Sequence, residues 1–345
     1  MEMNNLSKKY RNSLRITVFF MFVLTMFEWF EYSLSPLLIW PKFSKGAGDT
    51  VKLLIVGDPQ LLGNRYSAPS LLGLVLRWDA DRYISKTFSL AYNFVEPDLV
   101  IFLGDNLDEG EIANDEEFTT YFKRFRNVFQ EVDFDKAVIV PGDNDIGGEN
   151  EPPLPEIEKR FNKYFRSDVF IKFQFLEFVK VNYITHSNKY MSAPNVSSGS
   201  YRIILSHIPL TQFYSTFVSK VIPFLEPHII LSAHDHKSQY IISERKTSIP
   251  KQMAPVTDFN SFLFNITETT VHEIVVPTCS YRMGTSQMGY GALEINAFGE
   301  VSYAVLWLPS RFRQLLIYLI VIILIFLLCL ISVLKPCLRL RHYGF

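Results

Sequence analysis

The sequence predicts an α/β fold, a single domain of layered sheets flanked by helices, with one transmembrane helix at each end. Three observations predict it. An uncharged apolar run lies near the C-terminus, and a second long apolar segment lies near the N-terminus. Between them, short apolar runs each end at a residue able to bind a metal ion. The chain has 345 residues and a formal net charge of −1. A charge that close to zero lacks the basic footprint of a nucleic-acid binder, so no nucleic-acid partner is expected. Hydrophobic residues make up 48%, with 30 Phe and 17 Tyr, ordinary for a folded domain with membrane segments added. Of the cysteines, Cys329 and Cys337 lie in or beside the last apolar run, so Cys279 alone leaves the folded domain without a disulfide framework.

The C-terminal run, Leu315 to Leu334, carries no charge and matches a hydrocarbon layer of about 30 Å. The first segment, about Ile16 to Ile39, is long enough to span but contains Glu28 and Glu31. Buried acids at that depth are costly and point to a function or a helix–helix contact, although Glu31 also fits the membrane interface. A cleaved signal peptide is the competing reading; the length of the segment, with no small-residue cleavage site directly after it, favours a span. Lys8, Lys9, Arg11 and Arg15 precede the first segment, and Lys335, Arg339 and Arg341 follow the last. The inner flanks carry Lys42, Lys45, Arg311 and Arg313. That mild bias places tails 1–15 and 335–345 in the cytoplasm, spans at 16–39 and 315–334, and a lumenal domain at 41–313. The acceptor tripeptides at Asn195 and Asn265 fit a lumenal domain.

Within the middle, apolar runs at Val51–Gly57, Asp98–Leu103, Lys136–Val140, Arg202–Leu205 and His228–Leu231 read as strands buried on both faces. Asp81–Phe94 and Glu117–Gln130 read as helices between them. Glu244–Phe264 is polar and aperiodic, and is expected to be a loop over the site. His272–Thr278 and Ala292–Leu308 read as returning strands, and Arg282 and Tyr290 lie in a Gly-rich stretch that fits a structural turn better than a contact with substrate phosphate or sugar.

The five strand ends carry Asp58-Pro-Gln60, Gly104-Asp105-Asn-Leu-Asp108, Gly142-Asp143-Asn144-Asp145, Ser206-His207 and Ala233-His234-Asp-His236. Singly, such an Asp is usually a turn or cap residue and such a His a structural one. In order and together, carboxylates and imidazoles on strand-end loops suit a pair of divalent first-row metals. Two ions about 3.5–4 Å apart clamp a phosphate ester and lower the pKa of water. Cations that close need a bridging carboxylate, and Asp105, central in the order, is the choice.

This order of motifs resembles the calcineurin-like metallophosphoesterases, over roughly residues 51 to 240. Three stretches resemble the metallophosphoesterase 1 branch: Asp58-Pro-Gln60-Leu-Leu-Gly63, Gly104-Asp105-Asn-Leu-Asp-Glu-Gly110 and Gly142-Asp-Asn-Asp-Ile-Gly147. So does the frame of two membrane helices with an acidic first one. The resemblance implies a four-layer β-sandwich flanked by helices, manganese as the metal, and a place between endoplasmic reticulum and Golgi. It implies action on ethanolamine phosphate of glycosylphosphatidylinositol (GPI) anchors, with GPI lipid or GPI-anchored proteins as partners. Carried over by position, Asp58, Gln60, Asp105 and His236 hold one ion; Asp105, Asp143, His207 and His234 hold the other; Asp108 orients the catalytic loop. Asn144 stands where the family has its catalytic histidine. An amide cannot act as a general acid, a loss worth roughly 10²–10⁴-fold in rate, about 3–5 kcal/mol. Asp143 for an amide ligand and Gln60 for histidine shift the set toward oxygen, favouring manganese or magnesium over zinc.

Three functions follow as expectations. The first is an active phosphodiesterase trimming a GPI-anchor side branch. The second, motivated by Asn144, is a catalytically impaired protein that binds and escorts GPI-anchored or phospholipid cargo. The third is a cytosolic phosphoprotein phosphatase tethered by one tail.

Overall fold

The computed structural model describes residues 2–41, 49–65, 70–149, 151–212, 215–257 and 261–342. The tail cations Lys8, Lys9, Lys335, Arg339 and Arg341, with Lys42 and Lys45, lie outside the residues whose side chains are described, as does Cys337. The chain divides into two units: Leu38–Leu308, and a helical unit of Met1–Leu37 with Pro309–Phe345.

In the larger unit the strands are β1 (Thr50–Val56), β2 (Leu99–Leu103), β3 (Val138–Val140), β4 (Phe170–Phe173), β5 (Leu176–Lys180), β6 (Tyr201–Leu205) and β7 (Ile229–Ser232). They continue as β8 (Gln239–Glu244), β9 (Pro250–Pro255), β10 (Phe262–Asn265), β11 (Thr270–Val275), β12 (Gly289–Asn296) and β13 (Glu300–Trp307). One sheet runs β10-β13-β12-β1-β2-β3 and the other β4-β5-β6-β7-β11-β8-β9. β1, β2 and β3 are parallel neighbours in the first sheet. β5, β6 and β7 are parallel neighbours in the second.

The two sheets pack face to face, because alternate residues of each strand point to the shared core. Val51, Leu53 and Ile55 of β1 meet Leu205, Leu231 and Ile274 of the other sheet there. The opposite faces carry helices. An aromatic cluster ties helix Leu71–Val95 to β2 and to Phe129, which follows helix Asp115–Val128: Phe88 lies 4.8 Å from Phe129, and Phe102 4.9 Å from it, ring to ring. Helix Val218–Leu225 covers the second sheet through Val218, Val221 and Ile222. Helix, sheet, sheet and helix make the four layers.

Four expectations about the larger unit need correction. Helix Leu71–Val95 starts ten residues before the predicted Asp81, capped by the Ser70 side chain accepting from Gly73 N at 3.3 Å. Glu244–Phe264 is not a loop: it supplies β9 and most of β10, and β9 pairs antiparallel with β8. Its mostly exposed residues and the prolines at both ends belong to an edge strand, which shows no apolar period. Ala292–Leu308 is a hairpin rather than one strand, turning where Gly299 adopts φ +81°. Tyr290 is buried in the core, its hydroxyl 3.1 Å from Thr87 Oγ1.

In the helical unit, Glu2–Thr25, a π-helical turn at Met26–Phe30 and Glu31–Leu38 follow without a break. Among the described residues one helix is long and apolar enough to cross a membrane, Arg311–Ile331, with mean hydropathy 3.2. The second span expected at 16–39 does not qualify on that measure. Its two acids are instead held by a polar cluster. Arg311 Nη1 donates to Glu28 Oε1 at 2.5 Å, and Tyr318 OH to the same oxygen at 2.9 Å. Buried Gln314 fills every valence. It accepts from Tyr32 OH at 2.9 Å and Arg311 at 3.0 Å, and donates to Glu31 Oε2 at 2.9 Å and Phe27 O at 3.3 Å. Arg313 also pairs with Glu31.

Candidate metal centre

All seven candidate ligands follow the C-terminal ends of β1, β2, β3, β6 and β7, six on loops and Asp143 opening the short helix Asp143–Ile146, where parallel strands release their chains at one edge of the sandwich. Five of them adopt left-handed backbone: Asp58 (φ +43°), Gln60 (+39°), Asp105 (+49°), His234 (+68°) and His236 (+59°). Each such non-glycine residue costs on the order of 1 kcal/mol, and the surrounding structure must hold it there. Two glycines make the approach possible. A Cβ on Gly142 would stand 2.2 Å from Asp105 N and Oδ1, and one on Gly104 would stand 2.6 Å from His207 Nδ1.

Asp105 is the centre of the arrangement. Its Oδ2 accepts from Gln60 Nε2 at 2.7 Å and Asn144 Nδ2 at 2.8 Å, and its Oδ1 from Asn144 N at 3.0 Å. His207 Nε2 lies 3.4 Å from Asp105 Oδ1 and 2.8 Å from Asp143 Oδ1. The other ring nitrogen of His207, Nδ1, donates to Leu103 O at 2.8 Å, so Nε2 is the atom turned to the site. His234 Nδ1 is 3.1 Å from Asp143 Oδ1 and 3.2 Å from His207 Nε2. Gln60 Nε2 reaches His236 Nε2 at 3.5 Å, bringing the last two candidates to the same place.

Two sets of ligand atoms lie within 4.8 Å of one another: Asp143, His207 and His234; and Asp58, Asp105 and His207. His207 belongs to both sets, and its Nδ1 lies 3.7 Å from Asp58 Oδ1. Nδ1 is committed to Leu103 and Nε2 faces Asp143 at 2.8 Å, which sets His207 beside Asp143 and His234.

The donors fit divalent cations. Asp58 Oδ2 is buried and lacks a hydrogen-bond partner, an oxygen a cation would satisfy. Burial pushes the Asp58 carboxyl up to about 7, with the charge of Asp105 adding to it. Burial also works against His207, but Asp105 and the hydrogen bond to Asp143 outweigh it and raise the imidazole to about 10. The hydrogen bond to Asp143 raises His234 as well. His236 is lowered by burial. The cluster thus draws positive charge from any source, and bound metal would replace the protons.

Sequence reasoning missed two residues here. Asp145, fully buried, accepts from Gly142 N (2.9 Å), Asn106 N (3.1 Å), Asn106 Nδ2 (2.8 Å) and Leu107 N (3.0 Å), and so ties the second metal loop to the third. Its place in the Gly-Asp-Asn-Asp run was the available signal. Glu111 is buried beside Asp143, and burial foremost, then the Asp143 charge, raises its carboxyl to about 7. Asp108 is half-buried, its backbone N–H donating to Leu61 O at 3.1 Å. Burial and neighbouring Glu109 push its carboxyl up to about 6.

With this geometry in place, known proteins supply the context. Cell division control protein 1 of Saccharomyces cerevisiae is 23% identical over 325 residues, covering 81% of this chain and 65% of that protein. Metallophosphoesterase 1 of Cricetulus griseus is 30% identical over 175 residues, covering 49% of this chain and 43% of that protein. The chain therefore spans less than two thirds of the length of these curated relatives. A solved metallophosphoesterase from Sphaerobacter thermophilus superposes with a TM-score of 0.40 at 13% identity, covering 76% of this chain and 91% of that one. The calcineurin-like phosphoesterase model matches residues 51–238, over half of the sequence and the whole ligand set. The chain belongs to the calcineurin-like phosphoesterase family.

Proposed function

We propose that this chain is a membrane-anchored two-metal phosphodiesterase that removes ethanolamine phosphate from GPI anchors in the early secretory route. The observation that carries the phosphoesterase part is the meeting of Asp58, Asp105, Asp143, His207 and His234, from five loops, within hydrogen-bonding reach. Asp58, Gln60, Asp105 and His236 would hold one ion, and Asp105, Asp143, His207 and His234 the other. The oxygen-rich set favours manganese. When bound, the pair supplies charge stabilisation of a phosphoryl centre and a nucleophile at neutral pH.

The chain's own residues do the rest. Leu103 O fixes the His207 tautomer. Asp145 holds the Asn106 and Gly142 loops in register. Asn144 presents two N–H donors toward Asp105 but has no proton to give away. Asp108, whose carboxyl burial and neighbouring Glu109 push up to about 6, is the proposed carrier of a proton to a leaving oxygen. The membrane helix Arg311–Ile331 would keep the site at a lipid surface and raise the effective concentration of an anchored substrate.

The test is hydrolysis of bis(p-nitrophenyl) phosphate by the purified full chain, with metal content measured alongside. Manganese should bind and turnover should depend on it. Equal rates in wild type and an Asp105→Ala, His234→Ala double variant would refute the enzyme. A second reading, escort of GPI-anchored or phospholipid cargo without turnover, rests on Asn144. It predicts bound manganese with no rate above that double variant.

A further inference from the structure

Asp58 has left-handed backbone, φ +43°, and stands directly before Pro59. A residue in front of proline is driven toward extended backbone with negative φ, so neighbours must hold Asp58 against that preference as well as against the strain of a positive φ. Its oxygens are shared out. Oδ1 accepts from His234 N at 3.2 Å, the main-chain oxygen accepts from Thr278 Oγ1 at 2.8 Å, and Oδ2 is buried without a partner. Among the described residues no other donor reaches the main-chain oxygen. The two bonds that are made leave Oδ2 as the oxygen open to an ion.

Thr278 lies between β11 and β12, where the chain passes from one sheet to the other, and beyond residue 238, where the family match ends. It is fully buried and pairs with Gly57 as an isolated parallel bridge, beside which Cys279 N donates to Gly57 O at 3.0 Å. The contact is close: a Cβ on Gly57 would stand 2.9 Å from Pro277 O. The Thr278 hydroxyl oxygen accepts from Ser280 N at 3.0 Å, which leaves its proton for Asp58 O. The centre draws ligands from loops of both sheets, so a residue at the crossing between them can fix one loop against the other. Asp143, His207 and His234 make no hydrogen bond to residues 277–280 among the described residues.

We infer that Thr278 is a positioning residue for the metal centre: its hydroxyl holds Asp58 in the left-handed conformation that keeps Oδ2 for the ion shared with Gln60, Asp105 and His236. It touches neither the ion nor a substrate, and acts through Asp58. The inference rests on the two-ion reading above, and on neither the GPI-anchor substrate nor turnover.

The experiment titrates the full chain, in detergent and stripped of metal, with manganese by calorimetry. Electron paramagnetic resonance reports the spin-coupled ion pair alongside. Wild type should take two ions per chain and show the coupled pair. Thr278→Val exchanges the hydroxyl for a methyl of nearly the same shape. It should weaken one ion roughly 10–100-fold, the loss expected for a partner behind a ligand, and leave the other close to wild type. At manganese that fills only the tighter site, the signal of the pair should give way to that of a single ion. Thr278→Ser keeps the donor and should bind both ions as wild type does. Thr278→Ala removes the donor without setting a methyl against the Asp58 carbonyl, and should repeat the loss even where the valine variant does not fold. A folded Val or Ala variant that holds both ions at wild-type affinity would overturn the inference. So would equal weakening of both ions, the same loss in Thr278→Ser, or failure of both Val and Ala variants to fold, since each marks Thr278 as packing and not as a donor to Asp58. Wild type that takes fewer than two ions would refute the two-ion reading first, and this inference with it.

Discussion

At position 144 both the backbone N–H and the side-chain amide point to Asp105, at 3.0 and 2.8 Å. On the proposed reading the residue positions Asp105 and transfers no proton. Asn144→His restores a group that can protonate a leaving oxygen, so kcat on a diester with a poor leaving group should rise about 10²-fold or more. A good leaving group such as p-nitrophenolate needs no proton and should gain little; a uniform rise on both would contradict this role. Away from the site, His228 and His272 answer to pH. Burial lowers each to about 4, and the hydrogen bonds agree: Arg202 N donates to His228 Nδ1 at 3.0 Å, and Tyr240 OH lies 2.6 Å from His272 Nδ1. The folded state keeps both neutral, whereas the unfolded chain protonates them near 6.5. Their stabilisation is therefore complete above pH 6.5 and is lost as pH falls toward 4, by on the order of 1 kcal/mol each at pH 5. Melting curves of His228→Asn and His272→Asn variants should show a shallower loss of Tm between pH 7 and 5 than wild type.

Among the elements, the strands feeding the site were legible because each is short, apolar on both faces and closed by a ligating residue. Helix Leu71–Val95 was only half legible: its opening turns have no polar side, so the 3.6-residue period becomes visible only at Asp81. β9 was hidden because an exposed edge strand bounded by proline carries no alternation. The left-handed backbone at five ligands was not legible at all, since Asp, Gln and His adopt it only under tertiary constraint. Glu28 and Glu31, which looked out of place in an apolar segment, find their partners nearly three hundred residues later, in Arg311, Arg313 and Gln314. The π-helical turn at Met26–Phe30 frees the Phe27 carbonyl that Gln314 caps. A single Arg311→Glu leaves buried like charges and should lower stability in detergent by about 3 kcal/mol. Glu28→Arg combined with Arg311→Glu should recover much of that loss. A double variant no more stable than the single would show that the pair is not what joins these helices.

At the scale of the whole molecule, the question is which side of the membrane the metal centre faces. Hydropathy alone finds one crossing helix, which would leave the two ends of the chain on opposite sides. The polar cluster changes that estimate. Acids matched by Arg311, Arg313 and Gln314 do not pay the full cost of an unpaired charge in lipid, so residues 16–39 can cross although their hydropathy is low. On the proposed two-crossing reading both tails would lie on one side and residues 41–313 on the other, and the mild excess of tail cations would make that other side the lumen. Asn195 and Asn265 then decide the matter, because oligosaccharide is transferred only in the lumen. Both asparagines are exposed on the phosphoesterase unit, one after strand β5 and one at the end of β10, where a glycan would meet no packed neighbour. The full chain made in a eukaryotic secretory system should carry glycan that endoglycosidase removes, and Asn195→Gln with Asn265→Gln should abolish the shift in mobility. A chain that is never glycosylated, and whose domain is degraded when protease is added to sealed microsomes, would place the site in the cytoplasm. That result would remove the GPI-anchor substrate, because the enzyme and its ester would then face opposite leaflets.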